Sequence, residues 1–218
     1  PTSHSGLETL AAIYGFAAQI YCDFSGYTDM AIGLALLLGF QLPQNFNRPY
    51  LALSLQDFWR RWHMTLSRWL RDYLYIPLGG NRHGETRTYM ALMATMLLGG
   101  LWHGASWTFV VWGGLHGSYL AGERFLRARF ATLRPSSAQL FALGVLTFLF
   151  VHVAWVFFRA HTFGGAWRVL SGMVAANADA VPILPAIEIV TTVVIVAGIV
   201  AAHAFMRTRT LESVLATV

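Results

Sequence analysis

The segment TYMALMATMLLGGLWHGASWTFVVWGGLHGSYLAG, residues 88–122, contains no Asp, Glu, Lys or Arg over 35 residues. One helical span of a bilayer takes about 20 apolar residues, so this segment could cross once as a long tilted helix, or enter the membrane, break near its glycines and return. Broken backbone at membrane depth is tolerated only where it is buried in protein or lines a polar cavity. Near the middle lies His103, between Trp102 and Gly104. Both arrangements therefore place an ionisable side chain among apolar residues.

The rest of the 218-residue chain is also apolar, with 56% hydrophobic and only 11% charged residues. This composition is typical of a membrane protein. All 15 basic residues are Arg, and they cluster beside apolar runs. Because no nucleic-acid-binding motif accompanies them, the partner that they predict is membrane lipid and not DNA or RNA.

The distribution of Arg predicts an orientation. Residues 48–87 contain seven Arg and residues 124–134 contain four, two more follow the last apolar run, and residues 159–188 are balanced in charge. Short cytoplasmic loops carry the excess of Arg, so the basic regions are predicted to be cytoplasmic and the balanced region to lie outside. Both ends of residues 88–122 are then cytoplasmic, as a re-entrant segment requires.

Hydrophobic periodicity predicts an all-α fold, a multi-pass integral membrane helical bundle formed by residues 1–218 as a single region. Residues 54–75 have the pattern of an interfacial amphipathic helix and not of a span. Its apolar face is predicted to consist of Trp59, Trp62, Leu66, Trp69, Leu70 and Tyr73. The other predicted elements are two helical segments within residues 7–40 joined around CDFSGYTD, a loop at 41–50, a turn at 77–82, spans at 135–158 and 189–206, and a short amphipathic piece at 166–174.

The chain begins PTSHSGLETL, with neither Met nor a signal peptide, so we expect it to be the later part of a longer protein. A single cysteine, Cys22, excludes an internal disulfide and a cysteine-rich metal cage. We interpret Cys22 as a small buried apolar residue. The histidines lack the pair spacing of common metal sites, so no metal is expected.

Histidine is the residue type whose chemistry stands out in this setting, because an ionisable group at membrane depth is costly and by default marks a functional site. Neutral His103 could take a proton from a hydroxyl as a general base, with Trp102 and Trp107 walling the site or packing against acyl chains. It could equally be a hydrogen-bonded histidine inside a helix bundle. His63, at the border of the amphipathic helix, faces either an opening at the membrane surface or the lipid headgroups.

Other polar residues have both a functional and a structural interpretation. Asp23 and Asp29 could bind a substrate hydroxyl or an Arg, or cap a helix break. On a continuous helix His116 would lie about 20 Å from His103, so the two would not touch unless the chain folds back at the glycines. The arginines of the amphipathic helix could bind a phosphopantetheine or phosphate group, or could anchor the helix to anionic lipid. They are Arg60, Arg61, Arg68 and Arg71.

No nucleophile elbow, Walker A or dinucleotide-binding glycine motif is present in the sequence, so the usual soluble hydrolases, NTPases and dinucleotide enzymes have no support. Four blocks together resemble the membrane-bound O-acyltransferase family, most closely its bacterial alginate O-acetyltransferase branch. They are DFSGYTDMAIG (23–33), FNRPYLALSLQDFWRRWHMTLSRWLRDYLYIPLGGNR (46–82), LLGGLWHGASWTFVVWGGLHG (97–117) and AWVFFRA (154–160).

The resemblance implies an enzyme of the bacterial inner membrane whose interfacial and re-entrant helices surround a tunnel. It would have no bound cofactor and would use an acyl thioester, acetyl-CoA or an acyl carrier, as donor. His103 maps onto the histidine essential for transfer and His63 onto a second family histidine, and we assign both as catalytic. We assign substrate binding to four further residues, Trp102, Trp107, Asp23 and Arg60.

The implied acceptor is an exported, alginate-like polysaccharide, reached through a periplasmic acetyltransferase partner. Three alternatives keep the enzyme class: peptidoglycan, cellulose, or a teichoic acid that receives D-alanine. A fourth is a transporter or scaffold for acyl carriers in which His103 is structural. Family members have additional N-terminal spans, so the chain is expected to be a C-terminal part.

Overall fold

The computed structural model describes residues 5–130, 135–174 and 184–206. Within these ranges every regular element is helical, which confirms the predicted all-α class. The α-helices are α1 (Gly6–Leu37), α2 (Leu55–Trp59), α3 (Met64–Leu70), α4 (Glu85–Trp102), α5 (Trp107–Arg129), α6 (Ser137–Arg159), α7 (Phe163–Val174) and α8 (Ala186–Phe205), with a 3-10 turn at Pro49–Leu51 and a π-helical turn at Arg71–Tyr75.

The charge-free segment forms a hairpin. Helix α4 ends at Trp102, four residues turn the chain, and α5 begins at Trp107 and packs along α4. Glycines make the close approach possible, because a Cβ at Gly113 would collide with the Met96 carbonyl oxygen and one at Gly100 with the Phe109 carbonyl oxygen. Small residues at the contact are the usual way for apolar helices to pack without a hydrophobic driving force. Of the two arrangements that the sequence leaves open, the single long tilted helix is therefore wrong, and the helix breaks at residues 103–106.

The prediction of two segments within residues 7–40 is wrong, because α1 runs through CDFSGYTD without a break. The hydroxyls in this stretch hydrogen-bond the carbonyls of their own helix. Thr28 Oγ1 donates to the Phe24 and Ser25 carbonyls at 3.1 and 2.9 Å. Asp23 and Asp29 are exposed, so neither carboxylate needs a helix end to satisfy it.

The single amphipathic helix predicted for residues 54–75 is also wrong. Helix α2 ends after five residues, and α3 begins only after His63, which has a left-handed backbone with φ 43°. The predicted apolar face is therefore divided: Trp62 and Leu70 are buried, whereas Trp69 and Tyr73 are exposed and stack on each other.

The core is built from aromatic rings contributed by several helices. Phe58 stacks on Trp62 at a centroid distance of 5.7 Å, and Trp112 of α5 stacks on Trp155 of α6 at 6.1 Å. All four side chains are almost fully buried. Trp62 also contacts Trp155 at 5.2 Å, and Trp59 contacts Trp112 at 5.9 Å. Packing therefore anchors the segment between α1 and α4 to the hairpin and to α6.

Among the described helices, α6 and α8 are long and apolar enough to cross a membrane by length and composition. They confirm the helices predicted at 135–158 and 189–206. The loop at 41–50, the turn at 77–82 and the amphipathic piece, now part of α7, are also confirmed. Cys22 contradicts the prediction of a buried residue, because it lies on an exposed face of α1.

The hairpin brings two of the basic regions together. Glu85, where α4 begins, and Arg129, where α5 ends, belong to antiparallel neighbours, so Arg87 of the first basic region lies at the same end of the hairpin as Arg124 and Arg127. Arg48 also donates a hydrogen bond to the Met206 carbonyl at the end of α8. The Arg pair predicted after the last span, at 207 and 209, lies outside the described residues.

Candidate active site

His103 occupies the turn of the hairpin, half-buried, directly after the last residue of α4. Its Nδ1 lies 2.6 Å from the Gly99 carbonyl oxygen. A carbonyl can only accept, so Nδ1 carries the proton and donates, and the neutral ring keeps its lone pair on Nε2. The backbone of α4 therefore fixes the tautomer that a general base needs.

Aromatic side chains surround His103. The rings of Trp102, Trp112 and Phe158 lie 5.0, 5.0 and 5.3 Å from the imidazole centroid, each at a steep angle. Trp102 and Trp107 flank the turn at the molecular surface, 64% and 74% exposed. His103 is therefore packed against aromatic rings on the side toward the core, and two large exposed indoles flank it on the side toward the surface.

His63 is held by a side chain that the sequence pattern did not single out, the buried Asn45. The Asn45 Oδ1 accepts from the Thr65 backbone N–H at 3.2 Å and from the Thr65 hydroxyl at 3.0 Å. Because the backbone N–H can only donate, the facing atom is the amide oxygen. His63 Nδ1 lies 3.2 Å from the same oxygen and must carry the proton, so the His63 lone pair is also on Nε2.

The structure brings His63 and His103 close enough to influence each other. Burial, and next the neighbouring His103, lower the pKa of His63 to about 4. His63 packs edge-on against Phe24 of α1 at 4.7 Å. Near neutral pH His63 is therefore uncharged, with Nε2 available as an acceptor or a base.

A large cavity opens at the basic end of the hairpin, with a volume of about 800 Å³. Its wall is rich in arginine, and Trp59, Leu70, Met96 and Leu120 form apolar parts of the lining. The arginines are Arg60, Arg68, Arg71, Arg124 and Arg127. A site that combines positive charge with apolar surface suits an anionic group that carries a hydrophobic or neutral arm.

Glu123 fixes the wall of this cavity. One carboxylate oxygen accepts from the backbone N–H groups of Leu55 and Gln56, at 2.9 and 3.2 Å, and so caps the start of α2. The other oxygen pairs with Arg127 at 2.6 Å. Anions are favourable at a helix N-terminus, and this contact ties α2 to α5 across 68 residues of sequence.

Of the four residues assigned to substrate binding, only Arg60 lines the cavity. Trp102 contacts the His103 ring, Trp107 starts α5, and Asp23 is exposed on α1 beside Phe24. Within the described residues no group of three or more His, Cys, Asp or Glu is placed to hold a metal ion.

Asn45→Asp is expected to shift to higher pH the acid limb of the pH profile of any reaction that uses the His63 Nε2 lone pair. A carboxylate could accept the same three hydrogen bonds and would stabilise the imidazolium of His63, raising its pKa from about 4. Protonated His63 has no free lone pair, so activity would be lost at a higher pH than in the wild type. The measurement is initial rate against pH in membranes.

Asn45→Ala serves as the matched control, since it removes the acceptor without adding charge. Its acid limb should not move upward. Superimposable profiles for the wild type and Asn45→Asp would contradict a titrating role for His63.

Residues 9–163 match the model of the membrane-bound O-acyltransferase family. The chain belongs to this family, whose members are membrane-bound acyl-transfer enzymes. It is 56% identical over 160 residues to the probable alginate O-acetylase of Azotobacter vinelandii, covering 72% of this chain and 31% of that protein.

Two other relatives have different acceptors in their names. The peptidoglycan O-acetyltransferase of Helicobacter pylori is 49% identical over 176 residues, or 81% of this chain and 33% of the relative. The teichoic acid D-alanyltransferase of Streptococcus thermophilus is 34% identical over 118 residues, or 51% and 28%. The chain therefore spans about a third of the length of the curated relatives it matches.

Proposed function

We propose that this chain is the C-terminal catalytic part of an inner-membrane O-acyltransferase that moves acetyl groups from a cytoplasmic thioester toward hydroxyls of an exported, alginate-like polysaccharide. The observation that carries the proposal is His103, whose Nδ1–H is held by the Gly99 carbonyl so that Nε2 is a free base at the turn of a charge-free hairpin. The identity to alginate O-acetylases is what favours acetyl and alginate over the other donors and acceptors.

In the proposed reaction His103 Nε2 takes the proton from the acceptor hydroxyl. The hydroxyl oxygen then bonds to the carbonyl carbon of the thioester, and the C–S bond breaks as the carbonyl re-forms. The thiolate leaves and takes the proton back from His103. Exclusion of water by the aromatic rings around His103 protects the thioester from hydrolysis.

The arginine-lined cavity is the proposed donor entrance. Arg60 and its neighbours would bind the phosphates of the donor at the cytoplasmic end, and the apolar lining would accept its neutral arm. Trp102, Trp107 and Asp23 are proposed to contact the acceptor side, because all three are exposed. A periplasmic acetyltransferase partner would then receive or direct the acyl group.

Arg60→Glu is expected to raise the KM for the acyl donor about tenfold or more while kcat changes little. Reversing one charge removes a charge-assisted hydrogen bond to phosphate, worth about 1.5–3 kcal/mol. The measurement is initial rate against donor concentration in membranes that contain the full-length protein. Arg168→Glu on α7 is the control, since Arg168 is exposed and does not line the cavity. Equal KM values in the two variants would remove Arg60 from donor binding.

The acceptor is tested by deleting the full-length gene and restoring it. We expect loss and recovery of ester-linked acetate on the exported polysaccharide, with unchanged O-acetyl groups on peptidoglycan and unchanged D-alanyl esters on teichoic acid. A change confined to one of the latter polymers would reassign the acceptor. Membranes supplied with labelled acetyl thioester test the enzyme class itself, because a transporter or scaffold would transfer no label to any acceptor.

A further inference from the structure

His116 on α5 is the most enclosed histidine of the hairpin, with 1% of its surface exposed. Its Nδ1 accepts a hydrogen bond from the Trp59 indole Nε1–H at 3.2 Å. An indole nitrogen can only donate, so Nδ1 holds the lone pair and the neutral ring carries its proton on Nε2. This tautomer is the opposite of the one imposed on His103.

The Nε2–H of His116 is buried, and no hydrogen-bond partner for it lies among the described residues. The Nε1–H of Trp112 is in the same situation, and its ring contacts His116 at 4.6 Å. A buried donor is normally paired, since leaving it unpaired sacrifices its bond to water. Two unpaired donors on touching rings point to an acceptor that comes from outside the chain.

The position of His116 also favours an acceptor that comes from outside the chain. Trp112 contacts both imidazoles, His103 at 5.0 Å and His116 at 4.6 Å, so one indole connects the base to the donor. Trp59, which fixes the His116 tautomer, also lines the arginine-rich cavity. His116 therefore lies between the cavity and the turn that carries His103.

Resting on the function proposed above, we infer that His116 is a further catalytic residue, which donates a hydrogen bond from Nε2–H to the carbonyl oxygen of the bound thioester. When the hydroxyl oxygen bonds to the carbonyl carbon, negative charge develops on that oxygen, and a fixed donor stabilises it. The charge returns to the carbonyl as the C–S bond breaks. No proton leaves His116; the proton taken from the hydroxyl travels on His103 to the sulfur.

The experiment compares His116→Phe, which fills similar space without an N–H, with His116→Gln, which can donate again. Both are made in the full-length protein and assayed in membranes with labelled acetyl thioester. We expect His116→Phe to lower kcat about 10²–10³-fold with the donor KM unchanged, and His116→Gln to recover part of kcat. A wild-type kcat in His116→Phe, or a change confined to KM, would overturn the inference.

His152→Phe is the matched control, because His152 is also buried and its Nδ1 is held by the Phe148 carbonyl at 2.7 Å on α6. This variant should keep the wild-type kcat. Equal losses of kcat in His116→Phe and His152→Phe would mean that the effect comes from altered packing, and would refute a hydrogen-bond donor role for His116. If His116→Phe does not accumulate in the membrane, Trp59→Phe provides the test. This variant keeps His116 but removes the indole N–H that holds the His116 proton on Nε2. It should lower kcat, and an unchanged kcat would refute the inference. A wild-type protein that transfers no label would instead refute the proposed function.

Discussion

His103→Ala in the full-length protein is expected to lower acyl transfer about 10²–10⁴-fold, the usual contribution of a general base. The hydroxyl of a sugar is a poor nucleophile until a base accepts its proton. His103 can accept it at Nε2, because the hydrogen bond from Nδ1–H to the Gly99 carbonyl leaves the lone pair on Nε2. The measurement is ester-linked acetate on the exported polymer, normalised to the amount of protein in the membrane.

His161→Ala is the matched control for the loss of a histidine. His161 is exposed and lies between α6 and α7, so its replacement should leave acetate at the wild-type amount. Normal acetate in His103→Ala, with normal membrane levels, would remove His103 from the mechanism and leave it a structural residue of the turn.

Gly113→Ala is expected to have the second largest effect, because a single methyl group would force the hairpin apart. The new Cβ would collide with the Met96 carbonyl oxygen, and it would lie 3.2 Å from Leu97 Cα. Backbone atoms of a helix cannot move aside as a flexible side chain can. Overpacking of this kind costs about 1–3 kcal/mol, and a shift of about 1 Å in a catalytic group can cost about 10²-fold in rate.

The adjacent Gly114→Ala provides the comparison. There the added Cβ would lie 3.6 Å from Leu97 Cδ2, which is an ordinary van der Waals contact. Thermal unfolding in detergent and acyl transfer in membranes should separate the two variants, with Gly113→Ala lower in both. Equal melting temperatures and equal rates would show that the close approach of α4 and α5 does not position His103.

Local patterns in the sequence are sufficient for the long apolar helices, but they leave open whether residues 88–122 form one helix or break. They fail where a hydrogen bond from a side chain, or from a residue distant in sequence, determines the backbone conformation. Asn45 closes the turn at His63 from 18 residues away, and periodicity contains no information about such a contact. In α1 the polar residues suggest a break, yet the Thr28 hydroxyl is satisfied by carbonyls of the same helix, so the polar group does not require one.

The candidate site likewise contains one residue that the local sequence indicates and one that only the fold reveals. His103 stood out because it is an ionisable residue in a charge-free run, and the structure supplies its tautomer. On a continuous helix His116 would lie too far from His103 to touch it, and the fold-back of the hairpin makes it a neighbour through Trp112. Its donor, Trp59, is 57 residues away in sequence, so no local signal could have paired them.

The length of α4 has a consequence for the proposed acyl donor. Its 18 residues extend about 27 Å at 1.5 Å per residue, close to the thickness of a bilayer's hydrocarbon core. Arg124 and Arg127 lie near the start of this helix, because α5 packs antiparallel to α4, and His103 directly follows its end. Under the proposed function, a thioester whose phosphates were held by Arg124 and Arg127 would have to reach along much of that length before its acyl carbon met His103, and this would favour a donor with a long, thin and flexible arm.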